Sequence, residues 1–329
     1  AEAPVVGACD RFASAAGADG AAGTERAPVR TAQRLVSMLR PGQVGCLAAG
    51  EVFSETIRID RAGTPGRPVV LTTAPGAERA TIRGRLVVTD TAHDLVIDGL
   101  VLDGSTAGQL TSPYVYGQRI TFSDNDVSND HAGRSCFLIG SNVHVAQDIT
   151  LYGNRIHDCG RLPATNLDHG VYALASRDLV ISHNYIYDNA DWGVHLFPDA
   201  RGTVVDRNVI DGNGSGLIFA GDQDTASSGN SATNNNITGS LIKHDVEVFW
   251  EGPVGTGNVV NNNCVHGGRQ GSFSGADGYE RFDNVRADPG YADPESGDYT
   301  LTEDSPCAAF GPQPALPADD TATTGPAAD

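Results

Sequence analysis

Between residues 95 and 267 the chain repeats one short phrase: apolar residues at alternate positions, an Asn or Gly, then a second alternating apolar pair. It begins as Leu95-Val96-Ile97-Asp98-Gly99-Leu100-Val101-Leu102. It returns from Ile120 through Asn125 to Val127, and from Ile149 through Asn154 to Ile156. Leu179 to Ile186, Thr203 to Ile210, Ser231 to Ile237 and Val259 to Val265 carry further copies, around Asn184, Asn208, Asn235 and Asn263. From Asn125 the Asn residues stand 29, 30, 24, 27 and 28 positions apart. A period in this range belongs to a solenoid, where no repeat buries its apolar face alone and each stacks on the next. Alternation with a period of two, without helical periodicity, makes each repeat a coil of short strands. Asn suits the turn because it tolerates left-handed backbone, and its amide both donates and accepts, so stacked Asn residues can form a ladder. The pattern predicts an all-β chain: one parallel β-helix domain of roughly eight to ten coils.

The same pattern divides the chain. Residues 1–66 read as an N-terminal cap, in which Leu35, Val36 and Leu39 share one face of a short helix between Thr31 and Arg40, stopped by Pro41-Gly42. Such a helix would cover the open end of the first coil, where strand edges and core would otherwise meet water. Residues 67–286 are the coils, 287–311 a C-terminal capping segment, and 312–329, rich in Pro, Ala, Thr and Asp, a disordered tail.

Upstream of each Asn phrase lies another strand. Phe137, Val171, Val194, Leu217 and Val246 fit inward positions, which turns Leu138, Tyr172, His195, Ile218 and Glu247 outward. With coils about 4.8 Å apart, Tyr172 and His195 become immediate neighbours. Asp168-His169, Asp191-Trp192 and Lys243-His244 flank this stripe. Tyr172, His195, His169, Lys243 and Glu247 are therefore the candidate acids and bases. Asp168, Arg134, Arg161, Trp192, His244 and Trp250 are candidates for binding substrate. Lys243 stands out because it is the single lysine among 22 Lys and Arg residues, and a lysine, unlike an arginine, can be deprotonated in a protein.

Composition narrows the partners. The net charge of −19 argues against nucleic acid and against an anionic membrane surface, and no apolar run approaches the roughly 20 residues of a membrane span. With 40 glycines and 6% aromatic residues the chain suits tight turns around a narrow core. Six cysteines without a C-x-x-C pair point to disulfides rather than to zinc or redox chemistry. Coil order favours Cys9 with Cys46, Cys136 with Cys159 and Cys264 with Cys307, although sequence alone leaves the connectivity open. The start Ala1-Glu2-Ala3-Pro4 fits a mature terminus after signal removal, so the expectation is a secreted, oxidised monomer.

Two stretches carry a family resemblance. Gly23-Thr24-Glu25-Arg26-Ala27-Pro28 with Thr31, Gln33 and Pro41-Gly42 resembles the opening of secreted bacterial β-helix proteins of the pectate-lyase-like superfamily. Ala287-Asp288-Pro289-Gly290-Tyr291 through Ser305-Pro306 resembles their close. The resemblance implies a right-handed helix and action on a polysaccharide. The region around Asp168-His169-Gly170 is similar to mannuronan epimerases, though the full epimerase signature is absent, and Lys243 resembles the lysine base of the chondroitinase B family. β-Elimination next to a uronic acid needs a base, an acid for the leaving oxygen and a partner for the carboxylate. Lys243, His195 and Tyr172 offer the first two; Arg134, Arg161 or a Ca²⁺ ion offers the third, with Asp222 and Asp224 as the candidate calcium ligands. A glycoside hydrolase would instead use paired carboxyl groups from Glu247, Asp168, Asp191 and Asp222. A non-catalytic glycan-binding surface protein would need neither.

Overall fold

The computed structural model describes residues 6–312. Short strands stack coil upon coil, each paired in parallel with the equivalent strand of the next turn. One face runs through Tyr114–Val115, Phe137–Ile139, Val171–Arg177, Trp192–Arg201, Ser215–Gly221 and Val246–Trp250. A second runs from His93–Asp98 through Gln118–Ser123 and Ala146–Tyr152 to Tyr279–Phe282. The third is nine-stranded, from Val52–Ser54 to Cys264–His266. Alternate apolar residues of all three faces fill one continuous core from Ala13 to Tyr279. Among the described residues no helix is long and apolar enough to cross a membrane.

Asn side chains run up this core edge as expected. Asn125 Nδ2 donates to Asn154 Oδ1 at 3.0 Å, Asn154 to Asn184 at 2.9 Å, and the chain of bonds continues through Asn208, Asn235 and Asn263 to Asn284. The turn differs from expectation in one respect. The left-handed residue is the one before each ladder Asn, as at Asp124, Gly153, His183, Arg207, Asn234 and Asn262. This leaves the Asn itself free to turn its amide into the core, where it also bonds main-chain carbonyls of its own coil and of the preceding one. Further Asn stacks, Asn189 on Asn213 and Asn230 on Asn258, support other turns and were not legible from the main repeat.

The expected helix spans Ala32–Met38, with Thr31 Oγ1 accepting from the Arg34 N–H at 3.1 Å and the Glu55 carboxylate accepting from the Ala32 and Gln33 N–H groups. Its Leu35, Val36 and Leu39 are buried in the core. The coils, however, begin before residue 67: Arg11–Ala13 pairs with Val44–Leu47, which pairs with Val69–Thr73. These short strands carry buried residues at alternate or successive positions and so lengthen the solenoid into the segment assigned to a cap. At the other end Tyr291–Asp293 and Asp298–Leu301 form an antiparallel pair, and Tyr299 packs on Tyr187 and Val209. The three disulfides are Cys9–Cys46, Cys136–Cys159 and Cys264–Cys307. Apart from Pro312, the tail expected at 312–329 lies outside the described residues.

One histidine ties the third face to pH. His157 lies between Asp126 and Asp158, with nitrogen–oxygen distances of 3.0 and 2.7 Å, and stacks on Tyr187. Burial opposes charge on the ring, but the bonds to two carboxylates outweigh it and raise the pKa to about 9. A folded pKa above the unfolded value stabilises the protein fully below about pH 6.5, and that contribution fades as pH rises through about 9. The stability difference between wild type and His157→Gln, followed by urea unfolding, should therefore shrink across that window. A difference constant with pH would mean that the folded ring is neutral.

Candidate active site

The outward stripe forms in the expected register. Leu138 pairs with Tyr172, Tyr172 with His195, His195 with Ile218, and Ile218 with Glu247. Phe137, Val171, Val194, Leu217 and Val246 point into the core between them. The stripe floors a cleft of about 520 Å³ that brings together Tyr172, His195, His169, Lys243, Glu247, Arg134 and Trp192.

Tyr172 and His195 stack with ring centroids 5.1 Å apart. Behind them His169, two residues ahead of the strand that carries Tyr172, is fully buried, and its Nε2 lies 2.9 Å from His195 Nδ1. Burial, reinforced by the nearby Lys243 charge, lowers the His169 pKa to about 3. Burial also lowers that of His195, with help from His169 and Lys243. The two rings are therefore neutral at neutral pH and share one proton between the facing nitrogens. Burial, with a smaller contribution from Asp222, raises the Tyr172 pKa to about 12, so the phenol keeps its proton.

Lys243 reaches back over Trp192, its Nζ 4.2 Å from a ring centroid, and donates to Asn166 Oδ1 at 3.1 Å. Trp192 Nε1 in turn donates to Glu247 Oε2 at 3.2 Å, and the His244 N–H donates to Glu247 Oε1 at 2.9 Å. Glu247 is thus oriented by two donors while its carboxylate still faces the cleft.

Four expected binding residues do not line the cleft. Asp168 is fully buried and accepts from Arg161 Nε at 2.7 Å, while Arg161 also donates to Gln109 at 2.9 Å, so the pair anchors a loop instead of holding substrate. His244 stands beside Glu247, with Nδ1 3.6 Å from Oε1. Trp250 faces the core and donates to the Asp277 carbonyl. The two aspartates expected to bind calcium, Asp222 and Asp224, share one short turn. Asp222 Oδ1 already accepts from the Asp224 and Thr225 N–H groups and the Thr225 hydroxyl, capping its own turn. Among the described residues no group of three or more His, Cys, Asp or Glu is placed to hold a metal.

Sequence reasoning missed Phe197, Phe249 and Glu251, which line the cleft. The signal was present: Phe197 is two positions beyond His195, and Phe249 and Glu251 are two and four beyond Glu247, so the same alternation turns them outward. Asn166 and Leu167 also line it, from a loop without periodicity. That loop is held by Asp191, whose carboxylate accepts from the Asn166, Leu167 and Asp168 N–H groups at 2.9 Å each.

Comparison with known proteins agrees with this architecture. A family model described as "Right handed beta helix region" matches residues 87–248. No curated protein sequence matches. Among solved structures, pectate lyase Pel9A superposes with a TM-score of 0.67 at 13% identity, covering 94% of each chain. The GH136 lacto-N-biosidase from Eubacterium ramulus gives 0.55 at 13% identity over 80% of this chain, which spans 57% of that protein's length. An alginate lyase from Paenibacillus sp. str. FPU-7 gives 0.51 at 13% identity, over 77% of this chain and 96% of that one. At such identities the likeness is one of fold. The coil architecture, the family model and these superpositions together show a right-handed parallel β-helix.

Proposed function

We propose that the chain is a secreted polysaccharide lyase that cleaves a uronic-acid-containing glycan by β-elimination. The observation that carries this reading is the stacked Tyr172–His195 pair, a proton-bearing phenol beside a neutral imidazole in one cleft with Lys243. His195 Nε2 removes the proton from the carbon next to the carboxylate. The electron pair forms the C4–C5 double bond, the C4–O4 bond breaks, and the departing oxygen takes the Tyr172 proton. Proton transfer from the His195 imidazolium to the Tyr172 phenolate restores both groups. Lys243 and Arg134 face the negative charge that develops on the carboxylate.

The base role places a proton on His195 Nδ1, donated to His169 Nε2. His169 Nδ1 then carries its own proton with no partner among the described residues, at a cost of about 1–3 kcal/mol. A site that only needed packing would lose nothing by placing an apolar ring there. Three disulfides fit an oxidising compartment and so support export.

A panel of polyuronates and neutral glycans tests the reading, scored for unsaturated products and for new reducing ends. Unsaturated ends from at least one uronate polymer are expected. Reducing ends without unsaturation would favour the hydrolase reading, for which Glu247 and Glu251 in the same cleft are the available carboxyl pair. Lys243 separates charge from base chemistry. If it neutralises the carboxylate as an ammonium, Lys243→Arg should keep activity within about tenfold of wild type, whereas Lys243→Met should lose roughly 10²-fold or more. Equal losses in both variants would make Lys243 the base.

A further inference from the structure

Charge is distributed unevenly along the cleft, and the direction of that gradient selects a glycan. Arg134 opens one end, exposed, just ahead of the Phe137–Ile139 strand. In the middle, Lys243 Nζ sits over Trp192, close enough to lower the pKa of both His169 and His195. At the far end stand Glu247 and the exposed Glu251, on and just beyond the Val246–Trp250 strand. Four coil steps separate the Arg134 strand from the Glu247 strand, a span of roughly 19 Å at about 4.8 Å per step. A polysaccharide lying across the strands therefore meets cations at one end and carboxylates at the other.

The reacting pair lies between. A uronate placed at Tyr172 and His195 has Arg134 and Lys243 for its carboxylate. The sugar one or two places further on meets Glu247 and Glu251. There a second carboxylate would face two like charges, which disfavours it. A sugar offering hydroxyl, amide or ammonium donors would instead be bonded by the same carboxylates. Phe249, exposed beside them, adds an apolar face suited to the C–H face of a sugar ring.

We propose that the cleft takes a mixed glycan, in which uronic acids alternate with sugars that carry no carboxylate, and that Glu247 and Glu251 exclude homopolyuronates. This rests on the elimination reading for the position of the uronate, but its test does not depend on turnover. Binding of size-matched oligosaccharides to His195→Ala, measured by calorimetry, should favour an alternating uronate–amino sugar oligomer over a homopolyuronate oligomer by at least about tenfold. Glu251→Gln in the same background should narrow that preference by roughly fivefold, the scale of one exposed charge pair, and raised salt should narrow it further. If His195→Ala does not fold, Tyr172→Phe replaces it.

Equal or tighter binding of the homopolyuronate overturns the inference, as does a preference that Glu251→Gln leaves unchanged. Absence of unsaturated product from every glycan overturns the lyase reading, while the binding preference still decides this one.

Discussion

His195→Ala is expected to lower turnover by roughly 10²-fold to 10⁴-fold, the scale on which a positioned acid or base contributes, while the fold survives. His195 sits on the outer face of Trp192–Arg201 with Val194 and Leu196 packed inward, so its removal touches the cleft and leaves the core intact. Tyr172→Phe should cost a similar factor, because it removes only the hydroxyl and keeps the stacking ring. The pH profile identifies the roles. Burial and the two neighbouring groups hold the His195 pKa well below its usual value, so the imidazole stays an available base into mildly acidic solution, and the acid limb of kcat/KM should lie below about pH 6.5. The Tyr172 pKa of about 12 puts the opposite limb far into alkali. An acid limb unmoved by His169→Gln, or wild-type rates in both His195→Ala and Tyr172→Phe on the true substrate, would place the chemistry elsewhere.

The second large effect is on stability. Asn208→Ala is expected to destabilise the protein by roughly 3–4 kcal/mol, near the upper end for a single substitution. Asn208 Oδ1 accepts from the Asn184 backbone N–H and from Asn184 Nδ2, at 2.9 and 3.0 Å. Its own Nδ2 donates to the Ile181 carbonyl at 2.8 Å and to Asn235 Oδ1 at 2.9 Å. All these groups are buried, so the methyl of alanine strands several of them without water. Urea unfolding of Asn208→Ala measures the loss. Arg207→Gly, at the adjacent left-handed position, should in comparison be nearly neutral, since glycine adopts φ of 56° without a Cβ penalty. A cost below about 1 kcal/mol for Asn208→Ala would mean that the ladder is decorative.

The Asn spacing and the two-residue alternation determined the solenoid, the inward set Phe137, Val171, Val194, Leu217 and Val246, and the outward neighbours Tyr172, His195 and Glu247. Both signals are local. A strand has only two faces, and stacking identical turns converts sequence period directly into register. That is also why Phe197, Phe249 and Glu251 were readable in principle.

What only the tertiary structure decided lies in the connections. Whether Asp168 would face substrate depended on Arg161, seven residues earlier in an aperiodic loop, which draws the carboxylate inward. That Lys243 stands over Trp192 and bonds Asn166, 77 residues away, depended on how far two loops rise from their coils. The contact between His169 and His195 depended on burial of a ring just ahead of its strand. Such side chains are placed by hydrogen bonds between loops of different turns, held here by the Asp191 carboxylate. No period runs through those loops, so their geometry exists only once the coils have stacked.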